Sequence, residues 1–193
     1  MKKLALMVVS GLLMMIGFTF QVSAAEEEPE PLTSEQLAEI NDALEDLRIE
    51  ANEKLENGES DFTVSKDLSF GEDPIELTFE EGNEVQASNS SSNYSASVKN
   101  TAGFNFSHSI SGTWTYSGGE INSVSMHEPS LTGALYGKSA TQNRSELDPS
   151  IQQISSAGTF KALKYAPVEY KTNLVVQIDG GGNYRVIKAT ISS

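Results

Sequence analysis

The stretch that decides the fold is Phe104-Asn105-Phe106-Ser107-His108-Ser109-Ile110-Ser111-Gly112-Thr113-Trp114-Thr115-Tyr116. Its even-numbered positions, Gly112 excepted, are apolar, aromatic or histidine, and its odd-numbered positions are Ser, Thr or Asn. Because side chains of a β-strand point alternately to opposite faces, this pattern predicts a strand with one buried face. Gly112 interrupts the apolar series, and we expect a bend or a β-bulge there.

Working outward, the same period of two recurs in short segments that are separated by turn residues. Tyr94, Ala96 and Val98 share the parity of the central strand and precede an expected turn from Asn100 to Gly103. Two hairpins are predicted, with turns at Ser117-Gly118-Gly119-Glu120 and at Asp179-Gly180-Gly181-Gly182-Asn183. The strands of these hairpins, and further strand candidates, are 121–126, 174–178, 184–188, Phe62-Thr63-Val64, Leu68-Ser69-Phe70 and Ile75-Glu76-Leu77-Thr78-Phe79-Glu80.

Residues 138–153 are polar and contain Asp148-Pro149, so we expect a long connection there. The whole pattern predicts a mainly β protein: an antiparallel β-sandwich or barrel-like domain over 61–193, preceded by one acidic amphipathic α-helix.

Residues 25–60 are predicted to form an acidic arm followed by that helix. Thr33 and Gln36 match a capping box, and Asn57-Gly58 is a stop signal, so the helix is expected over about 34–56. Its apolar face consists of Leu37, Ile40, Leu44 and Leu47. We expect this face to dock on the β domain or on its own copy. The alternatives are a partner-binding helix or a pro-segment, and a helix that forms only transiently.

Residues 1–24 have the layout of a secretory signal peptide. Met1-Lys2-Lys3 is basic, the stretch to Phe20 is apolar, and Val22-Ser23-Ala24 offers small residues for cleavage after Ala24. We therefore expect a secreted protein without an integral membrane span after processing. Secretion without any cysteine, and hence without disulfides, favours a Gram-positive bacterium as the source.

The charge of the chain argues against nucleic-acid partners. Removal of residues 1–24 takes away Lys2 and Lys3 and changes the formal net charge from −14 to −16. Residues 26–62 hold 14 acidic and two basic residues, against 13 acidic and nine basic in 63–193, where no basic cluster occurs. Such a chain repels phosphate backbones.

No motif predicts catalysis, a cofactor or a metal. His108 lies on the apolar face of the central strand, where a hydrogen-bonded inward histidine is expected, and the chain has no Gly-x-Ser-x-Gly motif. The hydroxyl-rich stretch 85–119 has one charged residue, Lys99. Aromatic side chains near it are candidates for a surface that stacks on glycan rings or binds another sheet edge. They are Tyr94, Trp114, Tyr116 and Tyr136.

Gly112-Thr113-Trp114-Thr115-Tyr116, a polar β stretch and then Ala157-Gly158-Thr159-Phe160 resemble lactococcin-type bacteriocins over residues 112–170. The resemblance implies a secreted, cysteine-free β-sandwich.

The function predicted from the sequence is non-enzymatic. It is a binding or structural role outside the cell or at the envelope, with a protein or a cell-wall glycan as partner and oligomers possible through the helix or a sheet edge. The alternatives are a bacteriocin-like or toxin-like effector with an acidic pro-segment, and a hydrolase with an unrecognised site.

Overall fold

The structure is a computed structural model of the 193-residue chain, and it describes residues 31–71, 73–80, 90–100, 106–162 and 168–193. The described chain begins with a helix, α1 (Ser34–Glu56), and continues as strands. These are β1 (Phe62–Lys66), β2 (Ile75–Phe79), β3 (Ser90–Asn100), β4 (Phe106–Ser117), β5 (Glu120–Met126), β6 (Ser130–Thr132), β7 (Tyr136–Asp148), β8 (Ile151–Ala162), β9 (Glu169–Asp179) and β10 (Tyr184–Ser192). The predicted signal peptide, the acidic segment 26–30 and the turn residues 101–103 lie outside the described residues.

The strands form two antiparallel sheets, which confirms the predicted sandwich and not the barrel-like alternative. Sheet I has the order β1-β2-β3-β4-β5, and β6 pairs with β4 beside β5. Sheet II has the order β10-β9-β8-β7. Neither sheet closes on itself, so each keeps two edges.

The central strand β4 buries the face that the alternation predicts. Phe106, His108, Ile110 and Trp114 are buried, and β3 pairs in phase so that Ala96 lies opposite Ile110. The bulge expected at Gly112 is wrong for the β3–β4 pair, which is regular there, and the register shift of β4 against β5 falls between Thr115 and Tyr116. Gly112 instead provides space. A Cβ at this position would overlap the Ser125 carbonyl oxygen and would lie 2.6 Å from the Tyr94 hydroxyl oxygen.

Both predicted hairpins are present. Gly118 and Gly119 have φ of 62° and 85°, as a two-residue type I′ turn requires, and they join β4 to β5. Asp179 Oδ1 accepts hydrogen bonds from the backbone N–H groups of Gly181 and Asn183, which shapes the turn between β9 and β10.

One predicted strand and one predicted connection are wrong. The segment Leu68-Ser69-Phe70 is not a strand, because Ser69 binds the Glu39 carboxylate of α1 while Leu68 and Phe70 pack against the core. The expected long connection over 138–153 is mostly the β7–β8 hairpin, with its turn at Pro149-Ser150. The sequence did not indicate strand β7, because most of this strand is exposed on both faces and its residues are therefore mostly polar.

Helix α1 begins and ends where the sequence predicts. The Thr33 hydroxyl accepts from the Gln36 N–H and the Gln36 side chain accepts from the Thr33 N–H, which completes the capping box. The helix packs against β10, β2 and β1 and so closes one side of the sandwich. Its buried residues are Ile40, Ala43, Leu44, Leu47 and Ala51.

Two asparagines of α1 bind the free edge of β10. The Asn52 amide donates to the Val186 carbonyl at 2.8 Å and accepts from the Val186 N–H at 2.9 Å. Asn41 makes the same pair of bonds with Ile191, at 2.8 and 2.9 Å. Each side-chain amide therefore takes the place of a neighbouring strand's peptide group.

A β-bulge makes this double contact possible. Val186 and Ile191 are five positions apart, so in a regular strand their backbone groups would point to opposite edges. The register against β9 shifts between Val186 and Lys188, and the extra residue, Ile187, brings both backbone groups to the edge that faces the helix.

Candidate functional site

The two edges of sheet II differ in what covers them. The β10 edge is capped by Asn41 and Asn52 of α1. At the opposite end, β7 pairs with β8 on one side, and no described residue pairs with its other side. We call this free side of β7, residues 136–148, the open edge.

The open edge is long and exposed. Only Tyr136, Gly137 and Gln142 are shielded, and the other residues of the strand are exposed. Edge strands present unpaired N–H and C=O groups, which can pair with an added strand. The strand has no proline, and its β-bulge lies near its end, between Glu146 and Asp148. Residues 136–146 thus lack two of the features that usually block strand addition, a proline and a mid-strand bulge, although the segment does carry the charged side chains Lys138, Arg144 and Glu146.

The side chains of the open edge have unused polar groups. Arg144 and Glu146 form no ion pair with any described residue. Gln142 Nε2 is buried and has no hydrogen-bond partner in the described part of the chain. A buried amide donor without a partner is destabilising, so rotation of the Gln142 side chain toward an acceptor beside the open edge would be favourable.

Apolar side chains lie exposed on β5 and β7 and between β6 and β7. Strand β6 contacts β7, and β5 contacts β8, so the β5–β6 edge of sheet I lies on the same side of the sandwich as the open edge. Met126, Leu135 and Leu147 are exposed on these segments. This side of the sandwich therefore offers both backbone groups and apolar surface, whereas the opposite side is covered by α1.

His108 is part of a buried link between the two sheets. Its Nε2 lies 2.9 Å from Ser156 Oγ of β8, and its Nδ1 lies 2.8 Å from Thr172 Oγ1 of β9. Ser156 donates to the Thr141 carbonyl at 3.1 Å, so its oxygen accepts from Nε2–H. Thr172 Oγ1 lies 3.5 Å from the Gly158 carbonyl but only 2.8 Å from Nδ1, so its hydroxyl donates to Nδ1. The partners thus favour a neutral imidazole, and burial lowers the pKa of His108 to about 4. The predicted inward, hydrogen-bonded histidine is confirmed.

This histidine and serine do not form an accessible nucleophile. His108 is 0% exposed and Ser156 is 3% exposed. A Ser-His-Asp triad also needs a carboxylate that hydrogen-bonds the imidazole. Among the described residues, the imidazole is bonded by two hydroxyl groups and by no carboxylate. What the geometry provides is a satisfied polar contact that fixes β4 against β8 and β9.

The predicted aromatic surface is wrong, because most of its residues are in the core. Tyr94, Trp114 and Tyr136 are 1%, 1% and 4% exposed. Tyr116 is half-buried, with its ring 6.4 Å from that of Trp114. Trp114 Nε1 donates to the Asp179 carbonyl at 2.9 Å, a partner inside the sandwich. A glycan ring cannot stack on side chains that are already covered. For Tyr94 and Trp114, the alternation of their strands indicated burial and not exposure.

The predicted partner-binding face of the helix is also taken up within the chain. Ile40, Leu44 and Leu47 are buried and Leu37 is partly buried against the core of the β domain. The expected docking on the β domain is confirmed, and the helix leaves this face unavailable to a second partner.

A shallow groove lies between α1 and the residues that follow β1. Two of its charged side chains have partners within the chain. Glu39 accepts from the Ser69 hydroxyl at 2.6 Å, which together with the Ser69 N–H lowers the pKa of Glu39, and Lys66 pairs with Asp46. In the described residues, no group of three or more His, Asp or Glu side chains is placed to hold a metal ion. The groove is lined by Glu35, Ala38, Glu39, Asp42, Ala43, Lys66, Asp67 and Leu68.

The open edge itself was not predicted from the sequence. Lys138, Gln142 and Glu146 fall on one face at spacings of four, but no apolar alternation marks the strand. The one feature of the sequence that could have indicated this strand is the Asp148-Pro149-Ser150 turn, which joins β7 to β8, two strands of similar length.

In the described part of the chain, every helix falls short of the length and apolarity needed to cross a membrane. No protein-family model matches this chain, and comparison with curated proteins and with solved structures gives no significant match.

Proposed function

We propose that the protein is secreted and acts outside the cell, or at its envelope, as a non-enzymatic binding protein. Its partner is a protein that adds an extended strand to the open edge of sheet II. The observation that carries this proposal is the difference between the two edges: α1 caps β10 with asparagine side chains, while β7 presents a long uncapped strand.

Three features support strand addition in place of groove or pocket binding. The exposed backbone of β7 supplies donors and acceptors that require no particular side chain on the partner. Met126, Leu135 and Leu147 supply apolar contacts beside it. The His108–Ser156 pair is enclosed and Glu39 in the groove beside α1 is already bonded to Ser69, whereas the open edge presents a whole strand of unused backbone groups.

A photo-crosslinking experiment tests the proposal. Benzoylphenylalanine replaces the exposed Asn143 of β7 in one chain and the exposed Lys188 of β10 in the matched control. Both positions lie on edge strands of the same sheet, but α1 covers the control edge. On illumination of the producing culture, we expect protein adducts from position 143 and few from position 188.

The same experiment identifies what would overturn the proposal. Equal adduct yields at the two positions, or none at 143, would show that the open edge is not a binding site. Recovery of the chain only inside the cell would contradict its secretion.

A further inference from the structure

We propose that the partner at the open edge is a second copy of this chain, with β7 paired to β7 in antiparallel orientation about a two-fold axis through Gln142. This inference rests on the proposed function and names the occupant of the same edge. Sheet II of the two copies then becomes one continuous sheet of eight strands, twice the four strands of one copy.

The sequence of β7 is complementary to itself in this register. With Gln142 opposite itself, Lys138 lies opposite Glu146 of the second copy, and the reverse pair lies on the other side of the axis. On the other face, Ser139 lies opposite Ser145 and Thr141 opposite Asn143, which are small groups able to hydrogen-bond across strands. No two like charges are directly opposite.

Both charged residues are available for these pairs. Lys138 and Glu146 are exposed, and they have the same parity, so both project from one face of the strand. Lys138 Nζ donates to the Gly133 carbonyl at 3.0 Å, which leaves two of its three donors. Opposite charges at facing positions of an antiparallel pair are stabilising.

Gln142 gives the second, independent observation. Its Nε2 is buried without a partner in the described chain. On the two-fold axis the two Gln142 side chains are directly opposite, with Cβ atoms about 5 Å apart. When the side chain rotates from its enclosed position toward the axis, each amide can donate to the carbonyl oxygen of the other, so the second copy supplies the missing partner.

Other ways of pairing two copies are less favourable. An axis through Thr141 would place Lys138 opposite Arg144, which is a like-charge pair. An axis through Asn143 would pair Lys138 with Asp148 beyond the bulge between Glu146 and Asp148. Pairing of β7 with β10 of another copy is blocked because α1 covers β10. The two-fold β7–β7 pairing uses the open edge of both copies, so sheet II closes as a dimer.

Charge reversal with mixing tests the pairing. In Lys138→Glu every 138–146 pair becomes two acids, and in Glu146→Lys it becomes two lysines. We expect each variant to dimerise about tenfold more weakly than the wild type in sedimentation equilibrium. An equimolar mixture restores opposite charges at both pairs, so we expect its dimer fraction to return to the wild-type level. The double variant Lys138→Glu/Glu146→Lys keeps the net charge and should also dimerise normally.

Cysteine trapping tests the register, since the wild-type chain has no cysteine. In the Gln142 register, position 139 faces position 145 of the second copy. A mixture of Ser139→Cys and Ser145→Cys chains should form a disulfide-linked dimer under oxidising conditions, while each variant alone should not. A dimer that forms from Ser145→Cys alone would overturn the register. Fluorescence of Trp114 confirms that each variant is folded.

The outcomes separate this inference from the proposed function. A chain that stays monomeric at all concentrations, yet crosslinks to a different protein through position 143, overturns the second copy and keeps strand addition. A monomeric chain that gives no adducts at 143 overturns both. Variants that dimerise as strongly as the wild type, with no effect of mixing, overturn the β7–β7 pairing.

Discussion

The side-chain amide of Asn52 and the backbone of Val186 are joined by two hydrogen bonds, of 2.8 and 2.9 Å. Asn41, which lies eleven residues before Asn52 in α1, makes the same two hydrogen bonds with the backbone of Ile191. The helix thus closes a sheet edge by direct bonds to its backbone in addition to apolar packing, and the stability of the sandwich should depend on these two side chains.

Asn52→Ala is therefore expected to lower the free energy of unfolding by about 1–3 kcal/mol, because the Val186 N–H and C=O lose their partner at a half-buried site. Asn41→Ala should behave alike, and the double variant should be roughly additive because the sites are about 16 Å apart along the helix. Urea unfolding measures the effect. Glu50→Ala, at an exposed position of α1, is the control and should change stability by less than about 0.5 kcal/mol. Similar losses at positions 50 and 52 would contradict the role of the cap.

The buried His108 predicts how stability varies with pH. Because its pKa falls from 6.5 to about 4 on folding, the unfolded chain binds more protons in that interval. Its contribution to stability is complete above pH 6.5 and is lost as the pH falls toward 4, which amounts to roughly 3 kcal/mol.

His108→Gln should remove this component. The difference in unfolding free energy between about pH 7.5 and about pH 4.5 is expected to be smaller in the variant than in the wild type. His127→Gln, at an exposed position, is the matched control. The same pH difference in wild type and His108→Gln would show that the imidazole is not held neutral.

Gly112 should tolerate no side chain. In Gly112→Ala the new Cβ meets the Ser125 carbonyl oxygen and the Tyr94 hydroxyl, so we expect a loss of about 1–3 kcal/mol or more. Gly118→Asn is the comparison, because nothing lies within 4 Å and asparagine accepts its φ of 62°. Thermal unfolding of both variants measures the contrast. Equal melting temperatures of the two variants would show that the strands around position 112 can move apart to accept a Cβ, which would contradict the tight packing at Gly112.

The N-terminus of the protein in the culture medium should be Ala25, following cleavage after Ala24. Mass spectrometry of the intact secreted chain measures this directly. A start beyond Gly58 would mean that α1 is removed, which would uncover the β10 edge and the core residues beneath the helix. That result would contradict a mature protein in which α1 remains docked.

The fold was predictable where one face of an element is apolar. Strand β4 and helix α1 each place apolar side chains at the period of their own geometry, and both were identified with nearly correct bounds. Strand β8 was missed because its buried face includes Gln152 and Ser156. Ser156 is satisfied by His108, 48 residues away in sequence, and no local pattern reports such a contact.

The candidate site was not predictable by the same signal. Strand β7 is exposed on both faces, so its residues follow no apolar period and resemble a loop in composition. Tyr94 and Trp114, proposed as part of a surface, are buried for the converse reason: the alternating positions of a strand face the inside of the sandwich. Which edge stays open depends on the docking of α1, and that contact joins residues 134 to 150 positions apart.

The bulge at Ile187 matches two distances: the one between Asn41 and Asn52 along α1, and the one between Val186 and Ile191 along β10. Eleven residues of helix rise about 16 Å, and the segment from Val186 to Ile191 spans roughly 14–16 Å. A one-residue insertion in α1 between the asparagines would rotate one of them by about 100° away from the strand. A one-residue deletion in β10 would turn one backbone group toward β9. A change in length on either element would therefore remove one of the two asparagine contacts, and this links two distant parts of the chain through geometry.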